Sequence, residues 1–404
     1  MNTMQRRLGL GDSVVLGLGS MIGAGIFVAL APAAESAGSY LLVSLSIAAV
    51  VAWCNATSSA RLAAIYPESG GTYVYARERL GPFWGYLAGW GFIVGKVASC
   101  AAMALTVGHY AWPSHAHLVA VLTVGAITAV NYLGVKKSAF ATRIIVGFVL
   151  VVLAAVIVFA FVQEPTRDSP DAASGSPLGV LQAAGLLFFA FAGYARIATL
   201  GEEVREPRRT IPRAINLALL ATFLIYAAVA AALLYALGPA YLASASNPLA
   251  TVVADSPSLE AVVRIGAVLA ATGSLLALIL GVSRTTLAMA RDGHLPKALA
   301  HLNERHGVPD RAELLIGIIV SLLAATLDLR HAIGFSSFAI LLYYLLANLS
   351  ALTLTKTENR PPRIVPVAGA IVCIVLGFSL PLASVLTGLT VFAIGAFAFV
   401  RKRP

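Results

Sequence analysis

Charge is scarce in this sequence of 404 residues, and negative charge scarcest: 11% of residues are charged, with 18 Asp and Glu against 28 Lys and Arg. Soluble domains carry roughly 25% charged residues. A chain with 59% hydrophobic residues cannot present a water-soluble surface, and it belongs in lipid. Only three cysteines occur, Cys54, Cys100 and Cys373, all within apolar runs. That excludes a disulfide framework and a zinc site. No long basic tract accompanies the net charge of +10, which argues against nucleic acid as a partner. Strand-length alternation is missing, so a barrel is not expected. Also absent are HExxH, GxSxG, paired carboxylates within the spans and any filter-like repeat, so neither an enzyme, a cofactor site nor a channel is expected. Arg6 and Arg7 precede the first apolar run without a small-residue cleavage site, and no removable signal peptide is read there.

What remains is a succession of apolar runs long enough to cross a hydrocarbon core about 30 Å thick. Twelve are read, near 13–33, 39–64, 83–112, 115–134, 140–163, 178–200, 211–237, 259–290, 312–328, 332–355, 364–380 and 382–400. An even number of spans puts both termini on one side. Alternate connections carry Arg77 and Arg79; Lys136 and Lys137; Arg205, Arg208, Arg209 and Arg213; Arg291, Lys297, Arg305 and Arg311; and Lys356, Arg360 and Arg363. The intervening loops hold little beyond Arg167, Arg264 and Arg330. The positive-inside rule then places both termini in the cytoplasm of a multi-pass cell-membrane protein.

Residues 164–177 read as an external linker rich in Pro, Ser, Asp and Gly. Residues 1–163 and 178–356 each hold five spans that start on opposite sides of the membrane, the arithmetic of an inverted repeat. Residues 357–404 add two more spans and a tail. The fold class expected is therefore an all-α membrane protein of twelve helices, five plus five with two C-terminal helices. Span one carries Gly17, Gly19, Gly23 and Gly25, and span six, its counterpart, carries Gly193 followed by Arg196. Matching glycine-interrupted spans point to a site at the membrane midplane, because unwound backbone must line a cavity or bind something. The alternative for span one is close packing of small residues against a neighbouring helix.

Four fragments now carry a resemblance: GSMIGAGIF in span one, YPESGGTYVYARERLGP after span two, EEVREPRRTIPRAI after span six, and SRTTLAMARDGHLPKALAHLNERHGVPDRA from the end of span eight. In this order the chain resembles the amino acid-polyamine-organocation (APC) superfamily of permeases over essentially its whole length. The resemblance implies the LeuT-type five-plus-five inverted repeat, alternating access, and an amino acid held by its α-carboxylate and α-amino group. Backbone amides around Gly23, Ala24 and Gly25 would hold the carboxylate, with Ile22 also among the substrate-binding residues. Carbonyls near Met21, Phe189 and Ala192 would receive the amino group, with Gly193 also among the substrate-binding residues and Phe189 at the position of an aromatic gate. The plain alternative for Phe189 is apolar bulk beside Phe188 and Phe191.

Lys96 lies near the centre of span three, and Ser99, Cys100 and Met103 share its face by helical spacing. In relatives this stretch lines the pocket for the substrate's side chain. A buried cation there is a specificity filter, a proton carrier or a structural charge. Arg196 has two readings, in the cavity below the span-six break or paired with Glu202 or Glu203 as a cytoplasmic gate. The resemblance also places a lysine in span five of some proton-coupled members; here the position holds Val149, so proton coupling by that route is in doubt and exchange is the other mode. His109, His115 and His117 read as interface decoration rather than a pH sensor. A transporter-like sensor and a polyamine or cationic amino acid permease stand as alternatives. The amino acid carried, the coupling ion and the oligomeric state stay open at this point.

Overall fold

The computed structural model describes residues 8–66, 70–134, 139–164, 175–198, 204–303 and 307–402; among them the regular structure is helical apart from one isolated bridge between Leu8 and Val204. The first run forms α1 (Leu10–Met21), α2 (Ala24–Val28) and α3 (Leu30–Ala37), and the chain returns through α4 (Leu41–Ile65). A short α5 (Thr72–Leu80) leads to α6 (Pro82–Ala111), α7 (Ala116–Tyr132) and α8 (Ala139–Val162). The second half begins with α9 (Pro177–Phe191) and α10 (Ala195–Ala198), followed by α11 (Pro207–Ser244), α12 (Pro248–Thr251) and α13 (Pro257–Arg291). It continues with α14 (Asp310–Thr326) and α15 (Leu329–Leu352), and α16 (Ile364–Ser379) and α17 (Leu382–Lys402) complete the chain.

Ten helical stretches are long and apolar enough to cross a membrane, and the protein is a multi-pass membrane protein. α14 and α16, with 17 and 16 residues, are shorter and occupy the places of the ninth and eleventh expected spans. Proline opens α6, α9, α11, α12 and α13, where its missing N–H costs no helical bond. Ser176 caps α9 by accepting from the Gly179 N–H at 3.0 Å, and Asp328 caps α15 by accepting from the His331 N–H at 2.8 Å. α11 runs past the expected end at residue 237 but bends at Gly238, whose φ of 71° suits glycine.

One expectation needs correction. The segment after span two reads as a loop, yet it contains α5, whose Thr72, Tyr73, Val74, Tyr75 and Ala76 are buried. Its aromatic residues cover apolar surface, and the Thr72 N–H donates to the Tyr343 hydroxyl of α15 at 3.0 Å. Lateral cohesion also uses buried polar groups, as expected where lipid supplies little drive for helix association. Asn348 of α15 donates to Asn55 Oδ1 of α4 at 2.6 Å, Ser58 Oγ donates to Asn348 Oδ1 at 2.7 Å, and the Cys373 thiol of α16 lies 3.4 Å from Asn55 Oδ1.

All three cysteines are buried, so a single new cysteine reports its own accessibility. Cytoplasmic termini, the orientation expected from the basic loops, would let Ser114→Cys react with an impermeant maleimide added outside intact cells, and Thr357→Cys only after permeabilisation. Both positions are exposed. The reverse pattern would overturn the orientation.

Candidate functional site

Span one breaks where its glycines lie. α1 ends at Met21, Ile22 turns out of the helix at φ −78° and ψ 56°, Gly23 follows at φ −106° and ψ −138°, and α2 restarts at Ala24. No side chain caps the new helix start, so the amides of Ala24, Gly25 and Ile26 have no intrahelical acceptor. The matching run breaks as well: α9 stops at Phe191, residues Ala192–Tyr194 form a 3-10 turn, and α10 follows. Residues Met21 to Val28 and Leu186 to Ala192 are buried, which puts both interruptions inside the protein.

The two breaks face each other. A Cβ on Gly193 would lie 2.1 Å from the Ser20 carbonyl oxygen and 2.8 Å from the Met21 nitrogen. Ser20 Oγ is 2.8 Å from the Gly17 carbonyl and 2.9 Å from the Gly193 carbonyl, tying the end of α1 to the turn. A Cβ on Gly25 would meet Ala190 Cα at 2.6 Å. Close packing and an open backbone therefore coexist here: glycine supplies the contact between the helices, and the turn supplies the free polar groups.

The carbonyls read as amine acceptors are partly engaged. The Tyr226 hydroxyl of α11 lies 2.5 Å from Met21 O and 3.2 Å from Ala190 O, and donates to one at a time. The Ala192 N–H donates to the Phe188 and Phe189 carbonyls. A carbonyl oxygen accepts two bonds, so Met21 and Phe189 each keep one position. Phe189 itself is buried in the cluster that holds Met21 and Ile22. Sequence reasoning missed Tyr226, because one tyrosine in an apolar helix looks like bulk until the neighbouring break is known.

On α6 the expected face divides. Met103 and Val107 pack against Ala24 of α2 and Ala271 of α13. Ser99 turns instead to α15, with its Oγ 2.6 Å from Ser336 Oγ. Cys100 lies among Val97, Leu275 and Ile279. Lys96 is 7% exposed, one turn from Cys100. Among the described residues no acid lies within ion-pair distance of it. Arg196 is exposed on α10, and Glu202 and Glu203 lie outside the described residues.

Val149 lines a cavity of about 10 Å³ between α1, α8 and α13, together with Gly19, Ile22, Ala270 and Ser274. An apolar side chain thus stands where the resemblance would put a lysine. Of the three histidines, His117 Nδ1 lies 2.8 Å from the Ala324 carbonyl and His115 lies against Trp112, with ring centroids 4.5 Å apart. Both sit at helix ends, away from the breaks.

Ion pairs tie elements together at both ends of the bundle. At the end carrying the chain termini, Asp12 pairs with Arg143, Arg79 with Glu358, and Arg77 with Asp292 at 2.8 Å. Asp292 also accepts from the Tyr73 hydroxyl at 2.5 Å. Burial, and then the neighbouring Asp292, push the Tyr73 phenol above its ordinary range. The Arg79 guanidinium holds Glu358 down to about 2. At the opposite end Glu35 pairs with Arg330.

The amino acid permease family model matches residues 8–404. An uncharacterized transporter of Mycobacterium tuberculosis is 63% identical over 405 residues, covering 99% of this chain and 92% of that protein. The branched-chain amino acid permease BcaP of Bacillus subtilis is 29% identical over 388 residues, covering 89% of this chain and 83% of that one. The cationic amino acid transporter 4 of Homo sapiens is 28% identical over 390 residues, with 89% and 61% covered.

Proposed function

Because the chain belongs to the amino acid permease family, we propose that it is a secondary transporter moving amino acids across the cytoplasmic membrane by alternating access. The observation that carries this reading is the pair of buried helix breaks, at Ile22–Gly23 and Ala192–Tyr194, held face to face. In the proposed architecture twelve spans form a five-plus-five inverted repeat with two further helices, and both termini are cytoplasmic. Amides at Ala24 and Gly25 bind the substrate carboxylate, where the N-terminal end of a half-helix favours negative charge. The free acceptor positions on Met21 O and Phe189 O receive the amino group, with Ala192 and Gly193 beside them. Met103 contacts the side chain, and Phe189 shields it.

Lys96 sets the charge of that side chain. An ammonium with no acidic partner in a low-dielectric setting disfavours a second cation nearby. Neutral or acidic amino acids are the proposed substrates. The test is counterflow in proteoliposomes. Internal amino acid is expected to accelerate uptake of the labelled one, whereas binding without movement would make the protein a sensor and flux without trans-stimulation a channel. A thermal-shift screen selects the substrate first, since a ligand at 100 times its Kd stabilises by about 2.7 kcal/mol.

A further inference from the structure

α14 carries an acid that neither the helix breaks nor the ion pairs use. Glu313 stands in the first turn of α14 and is 0% exposed. Both of its carboxylate oxygens are buried without a hydrogen-bond partner. Asn131 of α7 and Ser283 of α13 stand beside it; one Asn131 Nδ2 hydrogen goes to the Leu276 carbonyl at 3.3 Å, and the Ser283 hydroxyl goes to the Ile279 carbonyl at 2.8 Å. Enclosure of this kind strips a carboxylate of its hydration, which penalises the charged form unless donors or a cation replace the lost water.

The charged and titratable groups around it come from every packed element. α13 contributes Arg284, and α6 contributes Cys100 with Lys96 one turn away; the thiol lies within electrostatic reach of both Glu313 and Lys96. α7 contributes Tyr132 beyond Asn131. On α14 itself Asp310 is engaged by His301, with Nδ1 and Oδ1 2.7 Å apart, and Arg311 is exposed. No cation among the described residues forms an ion pair with the carboxylate.

A packed line joins this acid to the helix break. α14 packs on α6, and Met103 of α6 packs in turn against the cluster of Ala24, at the start of α2. Movement of α2 against Met103 therefore reaches the packing around Glu313.

We propose that Glu313 is a proton-binding site, neutral in this conformation, whose protonation is coupled to the movement of the broken helix. The carboxylate takes one proton from water on one side of the membrane. It returns that proton to water on the other side when the packing around α14 opens and Arg284 or solvent stabilises the anion. The coupling half rests on the transporter reading; the proton-binding half does not.

Two measurements test the proposal separately. Infrared difference spectra of purified wild type taken across a pH series are expected to show a protonated-carboxyl band at neutral pH that is missing in Glu313→Gln. Absence of that band, or its persistence in the variant, would overturn proton binding here. In proteoliposomes, an inward proton gradient is expected to drive accumulation of the amino acid found by counterflow. Glu313→Gln should lose that accumulation, and Glu313→Asp should keep it with a shifted pH profile. Accumulation by Glu313→Gln equal to wild type would overturn the coupling, as would a wild type that exchanges amino acids yet ignores the gradient. A wild type with no exchange at all would instead remove the permease reading, leaving the infrared result to decide the site. If the glutamine variant does not fold, the wild-type band and the aspartate profile still decide.

Discussion

Gly193→Ala is expected to reduce counterflow about 100-fold or more, the scale of loss that a 1 Å displacement at a reacting or binding centre can produce. The added methyl would lie 2.1 Å from the Ser20 carbonyl oxygen and 2.4 Å from its carbon, and both are backbone atoms that cannot rotate away. Relief requires the 3-10 turn to retreat from the end of α1, which pulls apart the groups proposed to share one substrate. Overpacking of this kind typically costs about 1–3 kcal/mol, so the variant should still fold. Gly147→Ala on α8 is the control, because nothing lies within 4 Å of the Cβ it would add. Wild-type exchange by purified Gly193→Ala would show that the two breaks need not touch.

Lys96→Met should admit cationic substrates. Two unit charges 4 Å apart interact by about 4 kcal/mol at an effective dielectric of 20, nearly a thousandfold in affinity. Wild-type protein is therefore expected to take up lysine and arginine poorly and the methionine variant at least tenfold better, with neutral substrates little changed. Methionine keeps the length and apolar stem of the side chain, so packing against the buried face of α6 survives. Unchanged selectivity would make Lys96 a structural cation. Loss of gradient-driven accumulation with selectivity intact would make it the proton carrier in place of Glu313.

The helix breaks were legible because glycine in the interior of a long apolar run has few other uses: Gly23 and Gly193 mark the two interruptions to within two residues. Lys96 was legible as a charge far from either end of its span. Glu313 was not. An acid in the first turn of a helix ordinarily complements the helix dipole and finds a polar partner, as Asp310 does with His301. Nothing local distinguishes the two, and only the packing of α6, α7 and α13 on α14 turns Glu313 inward. α5 was hidden for a related reason: its polar, glycine-flanked sequence reads as a loop, and its apolar face becomes apparent once α15 is there to receive it. Ser99 and Cys100 show the limit of helical spacing. It places neighbouring residues on one broad face, while the helices around α6 decide that Ser99 meets Ser336 and Cys100 meets the other side.

The ion pairs between elements are unevenly distributed. Among the described residues Asp12–Arg143, Arg77–Asp292 and Arg79–Glu358 tie the end with the termini, and Glu35–Arg330 ties the other. Pairs reached by water are weak and are screened by dissolved ions. Ionic strength therefore acts unequally on the two ends, loosening the one with three ties more than the one with a single tie. The resting population should shift with the salt on either side, so the buffer chosen for reconstitution becomes part of the mechanism that is measured.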